Sequence, residues 1–171
     1  MSAWTQLQRW TRHLWLDDSD SRRLLPTEAC ARLEAAVRAS EARHLGELRV
    51  CVEASLPWAA LRAGLDAHQR AIDLFGQLRV WDTPHNNGVL IYLLLADRRI
   101  EILADRGLHS LADPKLWTQL AQDIGQAMAS GQVEAGLQQA LTQVSAALVA
   151  HHPAPASTTK RNDLPDSIIL M

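Results

Sequence analysis

Seven consecutive apolar residues, Val89-Leu90-Ile91-Tyr92-Leu93-Leu94-Leu95, follow Asn86-Asn87-Gly88 and constrain the fold more than any other stretch. A strand with one wet face alternates apolar and polar residues, whereas a strand apolar at every position needs cover on both faces. The run is far shorter than the roughly 20 residues a membrane-spanning helix needs. It therefore reads as the central strand of a sheet lying between layers. Ala96-Asp97-Arg98-Arg99 supplies a turn, and Ile100 to Ala104 a second strand. So short a link predicts an antiparallel hairpin.

The flanking segments supply the cover. Pro26 and Thr27 open a helix to about His44, with Leu33, Ala36, Val37 and Ser40 on its inner face. Arg49 to Ala54 alternates as a half-buried strand would. Helical spacing returns from Trp58 to Leu78, interrupted near Gly64. Asp113-Pro114 starts a further helix carrying Trp117, Leu120, Ile124 and Met128, which Gly131 ends. Val133, Leu137, Ala140, Leu141, Val144 and Leu148 form the stripe of a last helix. Strand–helix–strand connectivity makes the first two strands parallel, with a right-handed crossover. The expected fold class is α/β: a small mixed sheet of three to four strands, including the hairpin, sandwiched between helices.

Residues 1–20 are expected to form an amphipathic helix and linker, 21–150 the sandwich domain, and 151–171 a flexible tail whose apolar ending can dock. In residues 3–16, Trp4, Leu7, Trp10, Leu14 and Trp15 share one face, with Gln6, Arg9, Arg12 and His13 mostly opposite. Tryptophans so concentrated suit a membrane surface. Only two arginines are on hand for anionic lipid, however, and Asp17, Asp18 and Asp20 follow, so docking of the indoles on the domain is the favoured expectation. "SDSRRLLP" reads as a connector.

Composition excludes several classes. A net charge of −2 and no long basic run give no electrostatic footprint for nucleic acid. Cys30 and Cys51 fit neither a disulfide framework nor zinc spacing, and are expected as small buried thiols of a reducing compartment. Arg9, Arg12 and His13 interrupt any signal-peptide core, so the expected location is cytoplasmic.

The ensemble "NNGVLIYLLLADRRIEILADRGL", the Trp117 helix and "ASGQVEAGLQQAL" resemble the TPM-domain family of thylakoid-lumen phosphatase-like and related bacterial proteins. The likeness covers roughly residues 27–150, and the ending "NDLPDSIILM" resembles the tails of small stand-alone bacterial members. It implies a compact α/β sandwich, acid phosphatase activity as in plant relatives, and calcium binding as in some members. Many relatives also carry a signal peptide and a membrane anchor, which this sequence does not display.

The hairpin brings the start of its first strand beside the end of its second. Asp82, His85, Asn86 and Asn87 should then face Asp105, Arg106, Gly107 and His109. On the phosphatase reading, Arg106 forks onto phosphate, His109 protonates the leaving oxygen and Asp105 orients water or metal. Asp82, His85, Asn86, Asn87 and Gly107 would bind the ligand. A calcium ion would take Asp82, Asn87 and Asp105, but only weakly, because two carboxylates are few for a site wanting 6–8 oxygens. There is no phosphate-cradling GxxxxGK[ST] or GxGxxG loop. Taken singly, Asn86-Asn87-Gly88 reads more readily as a plain turn entering a strand, and Asp105-Arg106-Gly107 as one leaving a strand, than as catalytic groups. The rule that α/β sheets bind at strand C-termini favours Ser55 and Asp97 instead, ranked second. His44 and His68 are expected as surface or packing residues, and His151-His152 as helix-end residues. With carboxylates so thin, the expected function is an interaction module binding a partner protein or membrane-associated assembly, with a phosphatase-like hydrolase as the alternative.

Overall fold

The structure, a computed structural model, describes residues 3–155 and 163–171 and, for residues 3–6, the backbone alone. Strand β1 (Glu47–Glu53) runs parallel to β2 (Gly88–Leu94), which pairs antiparallel with β3 (Arg99–Ala104). The chain's last residues add β4 (Ile169–Leu170) parallel to β1, so the order is β3-β2-β1-β4. The hairpin turn places Arg98 at φ 50°, a left-handed position in the link that folds β3 back on β2.

Two helical layers cover the sheet. On one face lie α2 (Asp18–Leu24), α3 (Thr27–Glu41), α7 (Pro114–Ala129) and α8 (Val133–His151), packed on Val50, Val52, Val89, Ile91 and Leu93. On the other, α4 (Trp58–Arg62) and α5 (Ala67–Gln77) pack on Cys51, Leu90, Tyr92 and Leu94. Every residue of β2 is buried, as an apolar strand between two layers must be. Helix α1 (Ala3–Trp15) joins the α4/α5 side through Trp10, and α6 (Arg106–His109) is a single turn after β3.

Two elements depart from the reading of the sequence. Most of the expected connector, residues 19–26, belongs to α2, because Asp17 accepts the N–H of Ser19 while Asp20 reaches back to the N–H of Asp17. Strand β1 is buried throughout rather than on alternate residues. Its polar side chains are covered in pairs: Arg49 donates to the Pro165 carbonyl, and Glu53 takes an ion pair from α5. The helical stretch 58–78 is, as its interruption near Gly64 predicts, two helices, with Gly64 between them at φ 76°.

Beyond α8, the apolar ending lies along β1: Met171 donates its N–H to Val52, and Ala54 donates to Met171. Residues 156–162 of the expected tail lie outside the described residues. Cys30 and Cys51 are free thiols. Burial pushes the Cys51 thiol up to about 12, which leaves it unreactive at neutral pH.

Candidate functional site

Two poles of the sheet present polar groups. At the first, the loop before β2 and the turn after β3 are neighbours. Asp105 donates its N–H to the Gly88 carbonyl at 2.8 Å, and Gly107 donates to the Asn86 carbonyl at 2.8 Å. The Arg106 guanidinium reaches Asn86 Oδ1 at 3.3 Å. His152 Nε2 donates to the Gly107 carbonyl at 3.0 Å, and its ring lies 6.4 Å from that of His85. Asn86 adopts φ 50°, a conformation asparagine tolerates better than most residues.

The contact is tight enough to dictate sequence. A Cβ on Gly107 would stand 2.2 Å from the His85 carbonyl oxygen. Gly107→Ala should therefore lower stability by about 2 kcal/mol, the usual range for overpacking. Gly76→Ala, in an exposed helical position with open space around it, should raise stability by about 0.5–1 kcal/mol. Urea midpoints of the two variants moving in the same direction would contradict this packing.

Proximity of the loops does not gather the side chains at one point. Asp82 is exposed and bound to Arg79 at 2.6 Å. Asp105 spends Oδ1 on the N–H of Arg106, capping α6, and Oδ2 is buried without a partner among the described residues. It lines a groove with Ile72, Phe75 and Leu103, on the α5 side of the sheet. Asn87 is wholly buried, takes Thr83 Oγ1 on its N–H at 3.0 Å, and leaves its carboxamide unpaired among the described residues. Strand alternation places Asn87 on the side of Val89 and Ile91, against the α3/α7/α8 layer. The sheet thus lies between Asn87 and Asp105. His109 and Arg106 are exposed on α6. Among the described residues no three His, Cys, Asp or Glu side chains are grouped to hold a metal. Calcium wants 6–8 oxygens around one point, and Asp82, Asn87 and Asp105 do not fit that requirement.

The second pole, at the C-terminal ends of β1 and β2, is where charge is concentrated. Asp97, in the hairpin turn, receives the Arg9 guanidinium as a fork, Nε to Oδ2 at 3.0 Å and Nη2 to Oδ2 at 2.9 Å. His13 Nε2 donates to Oδ1 at 3.2 Å. The tautomer is fixed because His13 Nδ1 accepts the N–H of Leu56 at 3.0 Å. Arg9 also donates to the Leu65 carbonyl at 2.6 Å. Burial alone would raise the Asp97 carboxyl; the hydrogen bonds from His13 and Arg9, with the guanidinium charge, overcome it and bring the value down to about 2. Ser55, half-buried, precedes the Leu56 amide that His13 accepts.

A few residues away on the same face, Glu53 accepts from Arg70 Nη2 at 2.7 Å and from the Tyr92 hydroxyl at 2.6 Å. Burial, then the Glu53 charge, push the Tyr92 phenol far above its usual value. Tyr92 thus remains a hydrogen-bond donor at any accessible pH.

The Asp97 latch reverses the expected orientation of α1. Arg9 and His13, expected to face solvent, point inward, and the side chain of His13 is fully buried. Trp10 follows them in and packs edge-on against Trp58, with ring centroids 5.2 Å apart. Leu7, Leu14 and Trp15 point out, at 58%, 69% and 85% exposure. Only Trp10 therefore bears out the expected docking of indoles; the side chain of Trp4 lies outside the described residues. The physical reason is that a forked arginine–carboxylate contact in a half-buried site outweighs what burying one more leucine stripe supplies. The i, i+4 spacing of Arg9 and His13 was the available signal, since it puts both on one face.

Comparison with known proteins agrees with this architecture. The TPM-domain family model matches residues 19–147. The BA42 protein of the psychrophilic bacterium Bizionia argentinensis is 26% identical, over 85% of this chain and 94% of that one, with a TM-score of 0.73. The N-terminal domain of a P. gingivalis protein shares the fold at TM-score 0.60 and 22% identity, over 82% of this chain and 94% of that one. No match was found among curated proteins. With three quarters of its length matched by the family model, the chain belongs to the TPM-domain family.

Proposed function

We propose that this TPM domain is an interaction module that docks on an apolar groove of a partner protein through the outward stripe of α1. One observation carries the reading: Leu7, Leu14 and Trp15 are exposed on a helix whose polar side is spent on the domain. An amphipathic helix seated in a groove is a common recognition mode. Exposed tryptophan with neighbouring leucine is the usual composition of an anchor. Asp17 and Asp18 lie exposed at the end of the stripe, which favours a protein groove over an anionic bilayer. Among the described residues no helix is long and apolar enough to cross a membrane.

The test uses a photo-crosslinking residue at position 15, followed by affinity measurement with the protein it captures. Leu14→Ser with Trp15→Ser should leave thermal stability unchanged and weaken that affinity by at least about tenfold. Equal affinity of the double variant would overturn the reading.

The alternative, a phosphomonoester hydrolase at the hairpin pole, is supported by family membership and by Arg106, His109 and Asp105 sharing one short segment. It requires turnover of an aryl phosphate that falls in Asp105→Ala and His109→Ala. Undiminished turnover in both variants, still folded, would overturn this site assignment.

A further inference from the structure

Strand β3 has a free edge. Because Asp105 donates to Gly88, the residues in phase with it, Leu103, Glu101 and Arg99, carry the ladder to β2. Ile100, Ile102 and Ala104 alternate with them and turn their N–H and C=O outward. The opposite edge of the sheet is covered by β4, but among the described residues no strand covers this one. Natural edges of this length are usually blunted by proline, a bulge or a covering loop. Residues 99–104 contain no proline, and their register with β2 is unbroken.

Beside the edge, β3 and α7 enclose a groove of about 450 Å³. Ile100, Ile102, Trp117, Ala121 and Gly125 form its apolar part, and Arg98 and Arg99 stand at its mouth. Both arginines are exposed and, among the described residues, form no ion pair. The two acidic groups nearest in sequence are both engaged: Asp97 by Arg9 and His13, and Glu101, which also lines the groove, by His68 of α5 at 3.0 Å. The mouth is therefore cationic. Unpaired main-chain groups, an apolar trough and two free guanidiniums match one kind of occupant.

We propose that β3 accepts an extended acidic peptide segment of a partner as a fifth strand. Main-chain bonds to Ile100, Ile102 and Ala104 would hold the peptide. Its apolar residues would enter the α7 groove, and its carboxylates would meet Arg98 and Arg99. This surface is separate from the stripe of α1.

The probe is a blocked peptide of about seven residues alternating aspartate and valine, roughly the length of an ordinary strand, titrated into isotope-labelled full-length protein. The expected result is selective shifts of the Ile100, Ile102 and Ala104 amides, with their hydrogen exchange slowed. Arg98→Glu with Arg99→Glu should weaken binding by at least about tenfold, and Ile102→Pro should abolish it. If Ile102→Pro fails to fold, the charge reversal decides. Leu14→Ser with Trp15→Ser should leave peptide binding intact, so this proposal and the α1 reading can fail separately. Three results would overturn it: no shift in β3 at about 1 mM peptide, the weak limit of specific binding; equal binding of a lysine–valine peptide; or protection of the same amides that rises with protein concentration alone, which would assign the edge to a second copy of the chain.

Discussion

Glu53→Gln should cost about 3 kcal/mol of stability, the lower end of the range for breaking a buried ion pair. In a domain of this size that is a Tm lower by roughly 10 °C. Glu53 is almost fully buried, and Arg70 nearly so. Its two oxygens satisfy Nε and Nη2 of Arg70 and the hydroxyl of Tyr92. Glutamine keeps the shape but removes the charge, leaving a guanidinium in low dielectric without its counter-ion. It also turns an NH₂ toward a donor. The triple replacement Glu53→Leu, Arg70→Met and Tyr92→Phe should recover most of the loss, because no buried charge is then left alone. Calorimetry giving the single variant wild-type stability would contradict the network.

Asp97→Ala should release α1 from the domain at a cost of about 2 kcal/mol. That magnitude follows from a carboxyl held at about 2 instead of its usual 3.8, at 1.36 kcal/mol per pKa unit. The sign is that of a depressed acid: the contribution is fully present above about pH 4 and is lost as pH falls through 2. Deuterium uptake by α1 in the wild-type protein should therefore rise only in strong acid. In Asp97→Ala it should be raised already at neutral pH, the two proteins converging only in strong acid. Uptake that is unchanged at neutral pH would show that the latch does not hold the helix.

The apolar run at 89–95 was enough to place β2 at the centre of the sheet, and the brevity of Ala96–Arg99 was enough to pair β3 with it. Gly64 marked the break between α4 and α5. What was not legible shares one cause. Arg9, His13, Arg49, Glu53 and Arg70 are polar residues buried by partners far along the chain, and periodicity assigns polar residues to solvent. Arg9 meets Asp97 across 88 residues, and no local pattern reports such a pair. The same blindness made β1 look half-exposed and turned α1 the wrong way round. The hairpin pole was legible as a meeting of two loops, because antiparallel pairing dictates it. It was not legible as a set of converging side chains, since convergence depends on which face of the sheet Asn87 and Asp105 occupy. Asp17 and Asp20 did carry a readable capping box for α2. It was hidden by reading Ser19 and Ser21 as linker residues.

The orientation of α1 is the claim on which the interaction surface depends, and hydroxyl-radical footprinting read by mass spectrometry addresses it residue by residue. In the free protein Trp15 should be oxidised rapidly and Trp10, packed against Trp58, slowly; in Asp97→Ala the two rates should converge. Rapid oxidation of Trp10 with protection of Trp15 in the wild-type protein would mean that α1 turns its apolar side inward after all.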